Sequence, residues 1–132
     1  MMQYLGNIIF DTSAILALIN LEKGYDLVLP IIDKAIMSTV NVAEVAKFLI
    51  DKESYTRAKA STLIDSTLHG IIPFTTSQAL TSAEIIKETK KYGLSLGDRA
   101  CIALSMETGY PIYTADKMWQ KLDLDLDIVY VR

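Results

Sequence analysis

The sequence predicts a three-layer α/β/α domain, with a central, mainly parallel sheet of about five strands. Short apolar segments alternate with amphipathic helical segments along the chain, an order typical of a parallel sheet covered on both faces. A chain of 132 residues can bury a core as one domain, spanning residues 1–132. All six glycines are isolated, which excludes glycine-rich dinucleotide-binding and P-loop motifs.

The predicted strands are short apolar runs, rich in β-branched residues and bounded by polar or turn-forming residues. In chain order they are expected at residues 7–10, 35–38, 71–74, 112–114 and 128–131. Such short runs are typical of strands buried on both faces of a sheet.

The predicted helices are longer segments in which apolar residues recur every three or four positions. In chain order they are expected at residues 13–19, 23–34, 41–52, 55–68, 76–92, 97–108 and 117–122. Pro30 should perturb the second helix. Gly70, Gly93 and Gly109 should end the fourth, fifth and sixth, since glycine favours helix C-termini.

The composition bears on the cellular location of the protein and on whether it binds membranes or nucleic acid. Cys101 is the only cysteine, which excludes an internal disulfide and fits a reducing cytosol, so a cytoplasmic location is expected. No signal peptide is evident in residues 1–10 and no apolar run is long enough for a membrane span. The net charge of −3 gives no global attraction to nucleic acid, but it leaves a local basic groove open.

Four acidic residues are expected where predicted strands give way to helices: Asp11, Glu44, Asp98 and Asp116. In an open parallel sheet such junctions gather along one edge. Clustered carboxylates repel one another unless a cation lies between them. An all-oxygen donor set suits Mg²⁺ or Mn²⁺ better than zinc, so the sequence predicts a divalent-metal site at this edge.

Each acid also has a simpler interpretation. Asp11, Asp98 and Asp116 lie at or just before helix starts, where a carboxylate caps free N–H groups. Glu44 fits the third position of a capping box opened by Asn41. Ser, Thr or Asn would cap as well, so acids at all four junctions favour a shared cation.

Several other residues have assignable roles. Arg99 and Lys117 each directly follow a candidate metal ligand and are expected either to contact a substrate phosphate or to form salt bridges with the acids. Cys101 is interpreted as a core residue, and Trp119 as a packing anchor. Asp123, Asp125 and Asp127 imitate a calcium loop, but Ile128 stands where an EF-hand requires glycine.

The segments FDTSAILAL, NVAEVAKFL, LSLGDRACIAL and YTADKMW resemble those of the PIN-domain ribonucleases, and among them the VapC-type toxins of toxin–antitoxin pairs. The resemblance spans almost the whole chain, and the four motifs occur in the family's order. The ordered set is far more specific than any single motif.

The resemblance implies a metal-dependent endoribonuclease that cleaves single-stranded or loop RNA with a metal-activated water and leaves 5′-phosphates. Asp11, Glu44, Asp98 and Asp116 fall on the family's acidic metal-binding positions. The hydroxyl positions of the family are matched by Thr12 or Ser13, and by Thr114. Asn41 is a departure, because relatives often carry Thr or Ser there. The family is often dimeric and is inhibited by a cognate antitoxin, so a homodimer and an antitoxin partner are expected.

Two rival interpretations differ in class. A haloacid dehalogenase-type phosphatase would need acids at positions occupied by Ser13 and Ile102, which argues against it. A catalytically inactive PIN-like module that binds RNA or protein without cutting it is the alternative to the nuclease. The presence of all four acids favours the nuclease.

Overall fold

Five parallel strands form one sheet. The structure, a computed structural model, describes residues 6–132; residues 1–5, part of the segment in which no signal peptide is predicted, lie outside the described residues. The strands are Ile8–Phe10 (β1), Ala35–Ser38 (β2), Gly70–Ile72 (β3), Ile112–Thr114 (β4) and Ile128–Tyr130 (β5). Their order, β3-β2-β1-β4-β5, confirms the predicted sheet. The chain builds outward from β1 to β3 and then continues on the other side of β1, so the topological switch point lies between β1 and β4.

Seven α-helices lie within the described residues. They are Thr12–Ile19 (α1), Tyr25–Val28 (α2), Thr39–Asp51 (α3), Arg57–Thr67 (α4), Thr76–Glu84 (α5), Ile86–Thr89 (α6) and Leu96–Thr108 (α7). Short 3-10 helices occupy Leu29–Lys34, Lys90–Tyr92 and Lys117–Lys121. None of the helices in residues 6–132 has the length and apolar character needed to cross a membrane.

The side chains of successive strand residues point to opposite faces of the sheet and pack into two cores, one on each face. Ile8 and Phe10 pack in a core with side chains of α1, α3 and α4. Ile9 lies in the opposite core with Ile102 and other side chains of α7. This arrangement confirms the α/β/α layering. Cys101 and Trp119 are both buried in the second core, as the sequence predicts.

Two long predicted helices are interrupted. The segment 23–34 forms α2 and then a 3-10 helix with Pro30 in its first turn, as expected from the missing proline N–H. The segment 76–92 is not one helix, because Ile85 leaves helical geometry at φ −86° and ψ 7°. It continues as α6 and a 3-10 helix, which ends at Gly93 in the left-handed region. Gly109 likewise follows α7.

Two expected helix boundaries are wrong. Asn41 does not begin α3: the Ser38 hydroxyl caps this helix by accepting from Val40 N (3.2 Å). Asn41 and Glu44 therefore lie inside the helix and form no capping box. Gly70 does not end α4, which stops at Thr67; Gly70 instead opens β3, where it pairs with β2.

Gly24, just before α2, lies directly against Val131, the residue that follows β5. Its φ is +102°, and a Cβ there would lie 2.0 Å from the Val131 carbonyl oxygen. Gly93 is also in the left-handed region (φ +73°), but a Cβ there would meet nothing within 4 Å. Of these two glycines, both need a left-handed backbone, but only Gly24 also lacks the space for a Cβ.

We predict that Gly24→Ala destabilises the protein far more than the matched control Gly93→Ala. The control should cost about 1–2 kcal/mol, the usual penalty of left-handed geometry for a residue with a Cβ, whereas Gly24→Ala also forces backbone apart. Urea unfolding of both variants measures the difference. Equal losses would contradict the close approach of Gly24 to Val131.

Candidate active site at the carboxyl edge of the sheet

Asp11 is a buried carboxylate at the end of the central strand. It follows β1 directly, beside the topological switch point, and its residue is 3% exposed. It caps α1 by accepting a hydrogen bond from Ala14 N (2.9 Å). The Ser13 hydroxyl donates to it at 2.8 and 2.9 Å, and the Thr114 hydroxyl donates to its Oδ2 at 2.5 Å. Three separate donors thus fix its orientation.

The same two hydroxyls join Asp11 to the segment carrying Asp116. Ser13 Oγ accepts from Ala115 N (2.9 Å), and Thr114 Oγ1 accepts from Asp116 N (3.0 Å). Asp116 in turn caps the following 3-10 helix by accepting from Met118 N (2.9 Å). The ends of β1 and β4 are therefore tied together by side chains that sequence analysis singled out as hydroxyl positions.

Glu44 reaches the edge from α3, not from a strand end. Its Oε1 accepts from the Thr12 hydroxyl at 2.6 Å and from Asn41 Nδ2 at 3.0 Å. Asn41 Nδ2 also donates to the Gly97 carbonyl at 3.1 Å. These bonds link α1, α3 and α7. This use of Asn41 was not predicted from the sequence, although its position three residues before Glu44 places both side chains on one helix face.

Asp98 approaches from the first turn of α7. It forms a capping box with Ser95, whose Oγ accepts from Asp98 N (3.2 Å) while Asp98 Oδ2 accepts from Ser95 N (2.9 Å). The expected strand before this acid is absent, because a loop leads from the 3-10 helix Lys90–Tyr92 into α7. Helix packing, and not a strand end, therefore brings Asp98 to the edge.

The four acids are close enough to affect one another's charge through Asp98. Burial raises the pKa of Asp11 to about 6; its hydrogen bonds from Thr114, Ala14 and Ser13 lower it, and the charge of Asp98 raises it further. Burial also raises the pKa of Asp98, against the lowering effect of its bonds to Ser95, and the charges of Glu44 and Asp116 add to the rise. The carboxylates therefore repel one another in the absence of a cation.

The chemistry of this donor set fits a divalent cation. Its candidate ligands are all carboxylate oxygens, the type that Mg²⁺ and Mn²⁺ prefer. Within residues 6–132, however, no three acidic, histidine or cysteine side chains converge into a ready coordination set. Each of the three aspartates turns an oxygen toward a helix N-terminus. Cation binding would therefore draw on carboxylates that also act as caps.

The two basic residues next to the acids behave differently. Arg99 Nη1 donates to the Leu94 carbonyl (3.1 Å), and its side chain lines a cleft with Phe74 and Leu96. Lys117 is exposed beside Asp116. In the part of the chain that the structure describes, neither forms an ion pair with the acids, so the salt-bridge alternative is not supported.

The raised pKa of Asp11 predicts that the cation-free protein loses stability as pH rises. The folded pKa of about 6 exceeds the ordinary value of 3.8, so the stabilising contribution of protonated Asp11 is complete below about pH 4 and is lost as pH rises through about 6. A shift of this size corresponds to at most about 3 kcal/mol. Relative to Asp11→Asn, the wild type should therefore become less stable between pH 4 and pH 7.5 in EDTA.

Urea unfolding across this pH range measures the effect. Asp65→Asn, which alters an exposed carboxylate on α4, is the control and should follow the wild-type pH profile. Parallel profiles for wild type and Asp11→Asn would show that the Asp11 carboxyl is not buried as described.

Solved structures share this fold. They include a toxin–antitoxin complex from Klebsiella pneumoniae (17% identity, TM-score 0.71, covering 96% of this chain and 98% of that chain). DNA-bound VapBC from Salmonella typhimurium is also similar (13% identity, TM-score 0.71, 97% and 100% covered). The sarcin–ricin loop cleaving toxin VapC20 of Mycobacterium tuberculosis is a third (19% identity, TM-score 0.70, 84% and 91% covered). At these identities the similarity shows a common fold.

The family is identified by comparison of sequences, not of structures. No functionally curated protein has significant sequence similarity to this chain. The family model of the PIN domain, however, matches residues 8–124, a span that contains all four acids and every strand but β5. This protein therefore belongs to the PIN domain family.

Proposed function

We propose that this protein is a Mg²⁺- or Mn²⁺-dependent endoribonuclease, acting on single-stranded or loop RNA as the toxin of a toxin–antitoxin pair. The observation that carries the proposal is the grouping of Asp11, Glu44, Asp98 and Asp116 beside the switch point of a PIN fold. Ligands of open α/β sheets bind at this crevice. Membership of the family supports the reaction class.

The four acids together would form the cation site of the proposed reaction. Asp11, Asp98 and Asp116 would hold the cation, and Glu44 would complete the site directly or through a water. Such a cation, when bound, lowers the pKa of water and neutralises charge on the scissile phosphate. Ser13 and Thr114 favour the ionised form of Asp11 by donating to it.

The chain's other reactive side chains are poorly placed for covalent catalysis. Cys101 is fully buried, and burial together with the neighbouring acids raises the pKa of its thiol well above the ordinary value. It therefore stays protonated and unreactive. His69 is exposed just before β3. The proposed hydrolysis needs no side-chain nucleophile.

Lys117 is the better of the two candidates for contact with the RNA phosphate. Its side chain is exposed and directly follows Asp116, whereas Arg99 is already engaged by the Leu94 carbonyl. A lysine at this position can approach the phosphate as a point charge.

The proposed partners are a cognate antitoxin and a second copy of the chain. The similar structures from Klebsiella pneumoniae and Salmonella typhimurium, a toxin–antitoxin complex and a VapBC assembly, support the antitoxin. Exposed apolar side chains around α2, namely Leu21, Leu27 and Leu29, offer surface that partners could cover. The homodimer rests on the family resemblance.

We predict that purified protein cleaves a cellular RNA pool in Mg²⁺ or Mn²⁺, producing discrete fragments with 5′-phosphates. Asp11→Asn should reduce cleavage about 100-fold or more, because even groups that only support metal ligands contribute 10–100-fold. EDTA should abolish cleavage, and Asp65→Asn should cleave like wild type. Sequencing of 5′-phosphorylated ends measures the products.

The inactive-module alternative makes the opposite prediction. If folded, antitoxin-free protein binds RNA in Mn²⁺ without cutting it, and Asp11→Asn binds RNA equally well, the nuclease proposal is wrong. The protein would then be a PIN-like binding module.

We also predict that Mg²⁺ or Mn²⁺ raises the thermal stability of the protein and that Asp98→Asn removes most of this gain. Binding to the folded state alone contributes about 2.7 kcal/mol at a cation concentration 100 times the Kd. Differential scanning fluorimetry with and without cation measures the shift. Equal stabilisation of wild type and Asp98→Asn would exclude Asp98 as a ligand.

A further inference from the structure

We propose that Asn41 is a positioning residue that holds the Glu44 carboxylate in place beside Asp98 and thereby sets the affinity of the site for a divalent cation. The inference rests on the proposed function, because it takes these acids as cation ligands. It assigns a role to a residue that the sequence suggested was a helix cap.

An amide is poorly suited to the position of residue 41 unless it serves another group. Asn41 lies inside α3 and is 1% exposed. Asparagine is a weak helix former, and a buried amide must find hydrogen-bond partners. Its Oδ1 is buried without a partner among the described residues. An apolar side chain would avoid these costs, so the function of Asn41 must lie in its Nδ2 group.

The Nδ2 group of Asn41 connects the acid to the next helix. It donates to Glu44 Oε1 at 3.0 Å and to the Gly97 carbonyl at 3.1 Å, and it lies 3.4 Å from Thr12 Oγ1. Glu44 Oε1 receives the Thr12 hydroxyl as well, at 2.6 Å. Glu44 Oε2 accepts no hydrogen bond from any residue within 6–132. Oε1 is therefore fixed by the protein, and Oε2, which has no hydrogen-bond donor among these residues, is the oxygen that we assign to the cation.

Gly97 completes the arrangement. A Cβ at this residue would lie 2.4–2.5 Å from the carboxylate atoms of Glu44, so only glycine lets the carboxylate rest directly on the α7 backbone. Gly97 immediately precedes Asp98. Asn41 binds the carbonyl of this same residue, and the two contacts together fix Glu44 relative to Asp98.

A purely structural role, in which Asn41 only joins α3 to α7, is the rival explanation. The chain offers a matched control for it. Gln78 is another buried amide (2% exposed), whose Nε2 donates to Glu107 at 2.6 Å and whose Oε1 is likewise unpartnered within the described residues. It joins α5 to α7 without contacting any of the four acids.

The test is a double-mutant cycle on Mn²⁺ affinity, measured by electron paramagnetic resonance of free Mn²⁺ with the full-length chain. Asn41→Ala should weaken Mn²⁺ binding about 10-fold or more, as expected when the support of a ligand is removed. Gln78→Ala should leave the affinity within about twofold of wild type, since distant sites do not couple. In a Glu44→Gln background, Asn41→Ala should change the affinity less than about twofold, because the group it positions is already lost. Thermal melts in EDTA report the fold of each variant.

The outcomes separate this proposal from the proposed function. An equal loss of affinity in the Glu44 and Glu44→Gln backgrounds, or a loss in Gln78→Ala as large as that in Asn41→Ala, would overturn the positioning role alone. Failure of folded wild type to bind Mn²⁺ would overturn the proposed function and this inference with it. Should Asn41→Ala not fold, Gly97→Ala tests the same contact by displacing Glu44, with a similar loss of affinity expected; unchanged affinity would overturn the proposal.

Discussion

The site depends above all on one buried carboxylate, that of Asp11 at the end of the central strand. Three donors, from Ala14, Ser13 and Thr114, hold it in the geometry of an ionised group. Burial and the neighbouring Asp98 nevertheless leave its pKa at about 6. The protein therefore orients this group as an anion in a place where an anion is costly, and a bound cation would resolve the conflict.

The site contains two hydrogen-bonded halves, one of which includes Asp11, and they meet at adjacent residues in the first turn of α1. Ser13 serves the half formed by Asp11, Thr114 and the backbone of Asp116. Thr12 serves the half formed by Glu44, Asn41 and Gly97. The sequence left open which of these two hydroxyls supports the acids, and the structure uses both. The short apolar helix α1 is thus the element that fixes the spacing of the halves.

The parts of this arrangement governed by local pattern were predictable from sequence. The strands at 35–38 and 112–114 match β2 and β4 to the residue, because short apolar runs end there at polar residues or turns. Convergence of Asp11 and Asp116 followed from the rule that parallel strands end at one edge. The strand expected before Asp98 was wrong, since no strand precedes α7 and helix packing brings this acid to the edge. The contact of Asn41 with Gly97 spans 56 residues and depends on how α3 packs on α7, which no local pattern encodes. The break at Ile85 was equally hidden, because the apolar periodicity continues through it.

An anomalous difference map from crystals grown with Mn²⁺ at neutral pH would show whether these acids share one cation at the switch point. We expect a peak within bonding distance of carboxylate oxygens of Asp11 and Asp98, with Asp116 also coordinating and Glu44 coordinating directly or through a water. A fully ordered site at saturating Mn²⁺ with no such peak, and with all three aspartates still capping their helices, would contradict it. The three aspartates would then be helix caps that happen to lie close together.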